Sequence, residues 1–143
     1  MGIEQIYNEI LTEHTTSNRN KHHIENPTHV CKGVNPSCGD EIELEIREKD
    51  GNIEDAAFTG VGCAISQASA SIMIDLIKGK PVEEAMKLAK TFFGMIKHEI
   101  TDEEQLEVLE DAIVLKDIGH MPARVKCAVL GWHTLEDVVG KEK

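Results

Sequence analysis

Three cysteines and one aspartate have the types and positions to do chemistry together. Cys38-Gly-Asp40 follows Pro36 in a loop, immediately before a predicted strand. Cys63 falls between a second predicted strand and a helix, and Cys127 at the predicted start of the last helix. Junctions of this kind let side chains converge on one end of a sheet. A helix N-terminus favours an anion through its free N–H groups and dipole, so Cys63 and Cys127 are expected to ionise readily. Thiolates are the metal-binding form, and a bound cation lowers their proton affinity further. Three thiolates with the Asp40 carboxylate make a tetrahedral set suited to zinc, or to a cluster iron with one weaker oxygen ligand. Arg124 and Lys126, which flank Cys127, are candidates to offset the negative charge of such a set. The plainer reading of the same residues is three small buried hydrophobes and a turn aspartate bonded to its own backbone. No Cys-x-x-Cys pair is present, so zinc-ribbon spacing does not decide between the two.

The remaining candidates are weaker. Cys31 has no partner in this pattern and reads as an incidental thiol. Disulfides belong to oxidising compartments, and residues Met1 to His14 lack the basic start and apolar stretch of an export signal. His22, His23 and His29 can ligate a metal, but histidines in a polar loop are more commonly solvated. His120 is close enough to Cys127 to serve as a substitute ligand. Ser66, Ser69 and Ser71 have no acid or histidine at triad spacing and read as small residues that let a helix pack closely. Gly60-Val-Gly62 lacks the Lys-Ser/Thr pair of a phosphate loop.

The elements that must position these residues follow from periodicity. Ile3, Ile6, Tyr7, Ile10 and Leu11 mark one face of an opening helix over residues 1–15. Residues 18–40 show little periodicity and read as loop. Ile42, Leu44 and Ile46 alternate with Glu41, Glu43, Glu45 and Arg47, a half-solvated strand. Asp50-Gly51 is a hairpin signal, and Ile53 to Thr59 is the returning antiparallel strand. A helix is predicted over Ala64–Lys78 with Gly79 as its stop, and another over Val82–Lys90 after Pro81. Thr101-Asp-Glu-Glu104 is a capping-box signal for a helix carrying Leu106, Leu109 and Ile113. Gly119–Lys126 reads as loop and Cys127–Val139 as the last helix. Strands followed by helices imply an α+β domain, a small antiparallel sheet with helices packed mainly on one face.

Composition sets the bounds. The 143 residues argue for a single domain, 1–143. With 15 basic and 26 acidic residues the net charge is −11, which argues against a nucleic-acid or anionic-membrane partner. Hydrophobic residues make up 41% but aromatics only 3%, so the core must be mostly aliphatic. No apolar run approaches the ~20 residues of a membrane span. A cytoplasmic location is expected.

Three segments carry a resemblance. Asn35-Pro-Ser-Cys-Gly-Asp40, Gly60-Val-Gly-Cys-Ala-Ile-Ser-Gln-Ala-Ser-Ala-Ser71 and Pro122-Ala-Arg-Val-Lys-Cys127 resemble, in order, the signature segments of the IscU/SufU family of iron–sulfur cluster assembly proteins. The resemblance runs over nearly the whole chain and assigns Cys38, Asp40, Cys63 and Cys127 to the family's metal and sulfur site. IscU scaffolds resemble one another in a His before the last Cys and a Leu-Pro-Pro-Val-Lys segment. Here Lys126 precedes Cys127, the segment is missing, and 63 residues separate Cys63 from Cys127, more than IscU-type proteins carry. The extra length, about residues 92–111, looks like the SufU insert.

The SufU resemblance implies a zinc-dependent sulfur acceptor, a sulfurtransferase partner of a SufS-type cysteine desulfurase. Cys38 would take the persulfide sulfur when a desulfurase side chain replaces it on the metal, and Arg124 would support Cys38 or the incoming sulfur. Downstream iron–sulfur assembly proteins are the further implied partners. The alternative within the family is a scaffold on which iron and sulfide form a transient [2Fe–2S] cluster at Cys38, Cys63 and Cys127. An alternative from another class is a non-catalytic adaptor whose zinc only stabilises the fold.

Overall fold

The computed structural model describes residues 9–10, 12–14, 20–36, 39–120 and 122–140; at 111, 117–120, 122–124 and 139–140 it describes the backbone only. Strands β1 (His29–Asn35), β2 (Asp40–Lys49) and β3 (Asn52–Val61) form an antiparallel meander in the order β1-β2-β3. Helices α1 (Ala64–Ile77), α2 (Val82–Ile96), the one-turn α3 (Glu103–Leu106) and α4 (Pro122–Gly140) follow, with a 3-10 segment at Glu107–His120. The architecture is α+β, as the element order predicts.

The hairpin joining β2 and β3 forms where two residues accept positive φ, Asp50 at 55° and Gly51 at 81°. Its register pairs Leu44 with Phe58 and Ile46 with Ala56 on the inner face, all of them at most 1% exposed. Helix α1 lies over that face beside α4. Ten of its fourteen residues are buried, so it is a central helix rather than an amphipathic surface one. Gly131 of α4 approaches Ala70 of α1 so closely that an added Cβ would lie 3.3 Å from the Ala70 Cα. Trp132 stacks on Phe92 at 4.2 Å between centroids and donates its indole N–H to Ser69 Oγ at 3.0 Å.

Several elements depart from the sequence reading. β1 lies within the stretch read as loop. Its outward residues, Val30 and Val34, are more than half exposed, while Cys31, Gly33 and Asn35 face inward opposite Leu44, Ile42 and Asp40. The apolar pattern is therefore inverted, and the period-two signal points the wrong way. β3 continues through Gly60 to Val61. Helix α2 runs six residues past Lys90, because Phe92, Met95 and Ile96 continue its buried stripe. Asp102, not Thr101, caps α3, accepting the Glu104 N–H at 3.0 Å. The single helix expected beyond it is replaced by the 3-10 segment, broken at Glu110 with φ 50° and ψ −123°.

Gly33 holds β1 against α4. A Cβ there would run into the Thr134 hydroxyl and lie 3.1 Å from Leu130 Cδ1. Gly33→Ala should lower the free energy of unfolding by about 1–3 kcal/mol through overpacking. Urea unfolding should give a lower midpoint with an unchanged slope; an unchanged midpoint would contradict this packing.

Candidate metal centre

β2 begins and β3 ends at the same end of the sheet, and α4 crosses beside it. Asp40, the first residue of β2, faces inward with no exposed surface. Cys63 is the N-cap of α1, extended at φ −73° and ψ 168°. Cys127 lies on α4 and is 1% exposed. One ligand atom from each of the three falls within 4.8 Å of the other two. Atoms bound to one zinc at about 2.0–2.3 Å lie less than about 4.6 Å apart. The sulfur, sulfur and oxygen donors thus fit a shared ion with small inward shifts.

The carboxylate is built in by donors rather than by a basic residue. Asp40 Oδ1 accepts the Cys63 N–H at 2.9 Å and Oδ2 accepts the Ser66 hydroxyl at 2.7 Å. Burial pushes the Asp40 carboxyl up. Hydrogen bonds from Ser66, the Cys63 N–H, the Cys127 thiol and the Asn35 amide outweigh it and leave the group below its ordinary value. Asn35 Nδ2 also reaches Cys127 Sγ at 4.0 Å. Gly62 must lack a side chain, because a Cβ would sit 2.8 Å from Asp40 Oδ1.

The Cys63 thiol is likewise held below its ordinary value. Burial raises it, the Ser66 N–H and hydroxyl and the Cys127 thiol lower it, and the Asp40 charge raises it. The Ser66 hydroxyl has one proton and gives it to Asp40, so the Ser66 N–H at the start of α1 is the lasting support for a thiolate. With Cys63 protonated, its Sγ donates to Ser66 Oγ at 3.6 Å, completing a relay from thiol through hydroxyl to carboxylate.

Three of the four predicted ligands therefore meet. Cys38 lies outside the described residues; Asn35 and Asp40, on either side of it, are ladder partners. The side chains of Arg124 and His120 are also outside them. Cys127 is the sixth residue of α4 rather than its first, since the helix starts at Pro122, so a free-N–H argument holds for Cys63 and not for Cys127. Lys126 is exposed, and among the described residues no basic side chain ion-pairs with Asp40. The sequence reading missed Ser66 and Asn35. The spacing of Ser66, three residues after Cys63 on the same helix face, is the signal that points to it.

The family is decided by comparison with known proteins. The NifU-like N-terminal domain pattern matches residues 6–141. The chain belongs to this family, the IscU/SufU family. It is 38% identical over 141 residues to the iron-sulfur cluster assembly scaffold protein IscU of Thermotoga maritima, covering 99% of this chain and 97% of that one. It is equally 38% identical over 142 residues to the zinc-dependent sulfurtransferase SufU of Bacillus subtilis, covering 99% and 95%. A crystal structure from Fervidobacterium islandicum, described as an iron-sulfur cluster assembly scaffold for the SUF system, superposes with TM-score 0.87 at 38% identity. It covers 96% of this chain and 99% of its own.

Ser66→Ala removes one of the hydrogen bonds that hold the buried Asp40 carboxylate. In metal-free, reduced protein at neutral pH this should cost about 1–3 kcal/mol of stability. Asp40 is lowered in the fold, so the stability its charge contributes is present above its unfolded value and is lost as the pH falls through its folded one. The gap between wild type and Ser66→Ala should therefore narrow below pH about 4. A gap that is constant with pH in denaturant titrations would count against this role.

Proposed function

We propose that this iron–sulfur cluster assembly protein acts as a SufU-type, zinc-dependent sulfur acceptor for a SufS-type cysteine desulfurase. The observation that carries this reading is the convergence of Asp40, Cys63 and Cys127 at one end of the sheet. Lys126 before Cys127, the 63-residue spacing and the extra length at about 92–111 favour the SufU branch, in line with the Bacillus subtilis relative. Downstream iron–sulfur assembly proteins would receive the sulfur.

In this reading Asp40, Cys63, Cys127 and Cys38 hold zinc, which supplies positive charge that keeps thiolates deprotonated and guarded. The chain's own residues do the rest. Ser66, Asn35 and the Cys63 N–H fix the Asp40 carboxylate. The α1 N-terminus favours the Cys63 thiolate. Cys38, two residues before the buried Asp40, is the acceptor. Its thiolate attacks the outer sulfur of the desulfurase persulfide, forming a new S–S bond while the bond to the desulfurase cysteine breaks. The electron pair leaves with that cysteine as thiolate, and the transferred sulfur keeps the proton it carried in the desulfurase persulfide. No external oxidant or reductant is needed. Arg124, three residues before Cys127, is the proposed support for the incoming sulfur.

The scaffold reading is favoured by one specific observation, the equally similar Thermotoga maritima IscU. There a [2Fe–2S] cluster would form at the same residues, and the poorer carboxylate ligand would make it easy to hand on.

Cys38→Ala should bind zinc more weakly, leave desulfurase turnover at the rate of the enzyme alone, and give no sulfur adduct in intact mass spectra. A Cys38→Ala protein that still accelerates the desulfurase would overturn the acceptor role.

A further inference from the structure

A second group of metal-ligating side chains lies on the opposite face of the sheet. Residues 20–28 cross that face from the free edge of β3 to the start of β1. Phe58 donates its N–H to the Asn20 carbonyl at 2.9 Å, and Thr28 donates to the Ile46 carbonyl at 2.8 Å. Arg47 Nη1 ties down the Glu25 carbonyl at 2.8 Å. Beneath the crossing lies Glu45, an outward residue of the central strand that is nevertheless only 5% exposed.

A carboxylate so deeply covered needs positive charge or donors. Its Oε1 accepts the Ile24 N–H at 3.0 Å, and its Oε2 faces His23 Nδ1 at 2.5 Å. Glu43, two residues earlier on the same face of β2, completes the group. Lys32 is its ladder partner, yet the Lys32 ammonium is spent on Glu41 at 2.7 Å. Ligand atoms of His23, Glu43 and Glu45 lie within 4.8 Å of one another. The His23 side chain is 71% exposed, which leaves the group open to solvent on one side.

We propose that His23, Glu43 and Glu45 form a second, sulfur-free site for a divalent first-row transition-metal ion. One imidazole nitrogen and two carboxylate oxygens suit such an ion, and two carboxylates neutralise its charge. The Ile24 N–H orients Glu45 from behind, the kind of support that metal-binding carboxylates receive. The site is independent of the thiolate centre: Glu43 and Glu45 point away from the face that carries Asp40. A bound ion would cross-link the 20–28 crossing to β2, so binding also stabilises the fold.

Mn²⁺ is the probe, because it prefers carboxylate over thiolate. Electron paramagnetic resonance of Mn²⁺ titrated into the reduced, metal-free full chain should show one bound ion, with a rise in melting temperature. Affinity should fall by about tenfold or more in His23→Ala and in the isosteric Glu43→Gln, and stay unchanged in Cys63→Ser. Far-UV circular dichroism checks that each variant is folded, and either of the first two suffices. Affinity lost in Cys63→Ser but kept in Glu43→Gln and His23→Ala would place the ion at the thiolate end and overturn the site. Equally weak binding in all four proteins would mean an adventitious ion only.

Discussion

A carboxylate with no exposed surface stands at the first residue of the central strand, and its charge has to be met inside the protein. Leaving such a group unpaired would cost several kcal/mol. The Asp40 charge is met by a backbone N–H at a helix start, a serine hydroxyl one turn into that helix, and neighbouring thiol and amide groups. Each requirement reaches into the surrounding fold. The Cys63 N–H is available because Cys63 caps α1 without being inside it. The approach is close enough to demand a glycine at 62. Ser66 and Asn35 come from different elements, so the end of β1, the β3–α1 junction and α4 must dock in one register for the carboxylate to be satisfied.

The same constraint shapes the chemistry. Donors that hold Asp40 ionised also leave a carboxylate oxygen within 4.8 Å of the sulfurs of Cys63 and Cys127. A buried carboxylate beside two sulfurs, with no ion-paired basic side chain among the described residues, is the environment a cation site requires. A bundle core of Phe92, Trp132 and Ser69 keeps α1 and α4 at a fixed separation behind the site. The indole N–H to Ser69, and the Ser69 hydroxyl to the Ala128 carbonyl at 2.6 Å, pin the backbone one residue from Cys127.

Much of this was legible in the sequence, and what was not has physical reasons. The β2–β3 hairpin is written in alternating Ile, Leu and Glu with an Asp-Gly turn, and both residues take the positive φ it needs. Cys63 at a strand–helix junction is readable because Gly60-Val-Gly62 punctuates the chain before a helical pattern. β1 is not readable, because its inward positions are Cys31, Gly33 and Asn35, chosen for close approach and hydrogen bonding rather than for apolar burial. Ser66 looks like a packing residue until α1 is set against β2. His23, in a run of loop histidines, is solvent-exposed as such residues usually are, and its contact with Glu45 emerges only once the crossing is in place. Such roles arise from tertiary contact, which local periodicity does not encode.

In the proposed reading, the centre built around Asp40 would hold zinc for sulfur transfer instead of assembling a cluster. Anaerobic competition tests it most directly: metal-free protein is offered Fe²⁺, sulfide and one equivalent of zinc, and bound metals and acid-labile sulfide are quantified. The account predicts zinc retained, little labile sulfide and no visible absorption. Iron and sulfide displacing zinc, with visible bands appearing, would contradict it.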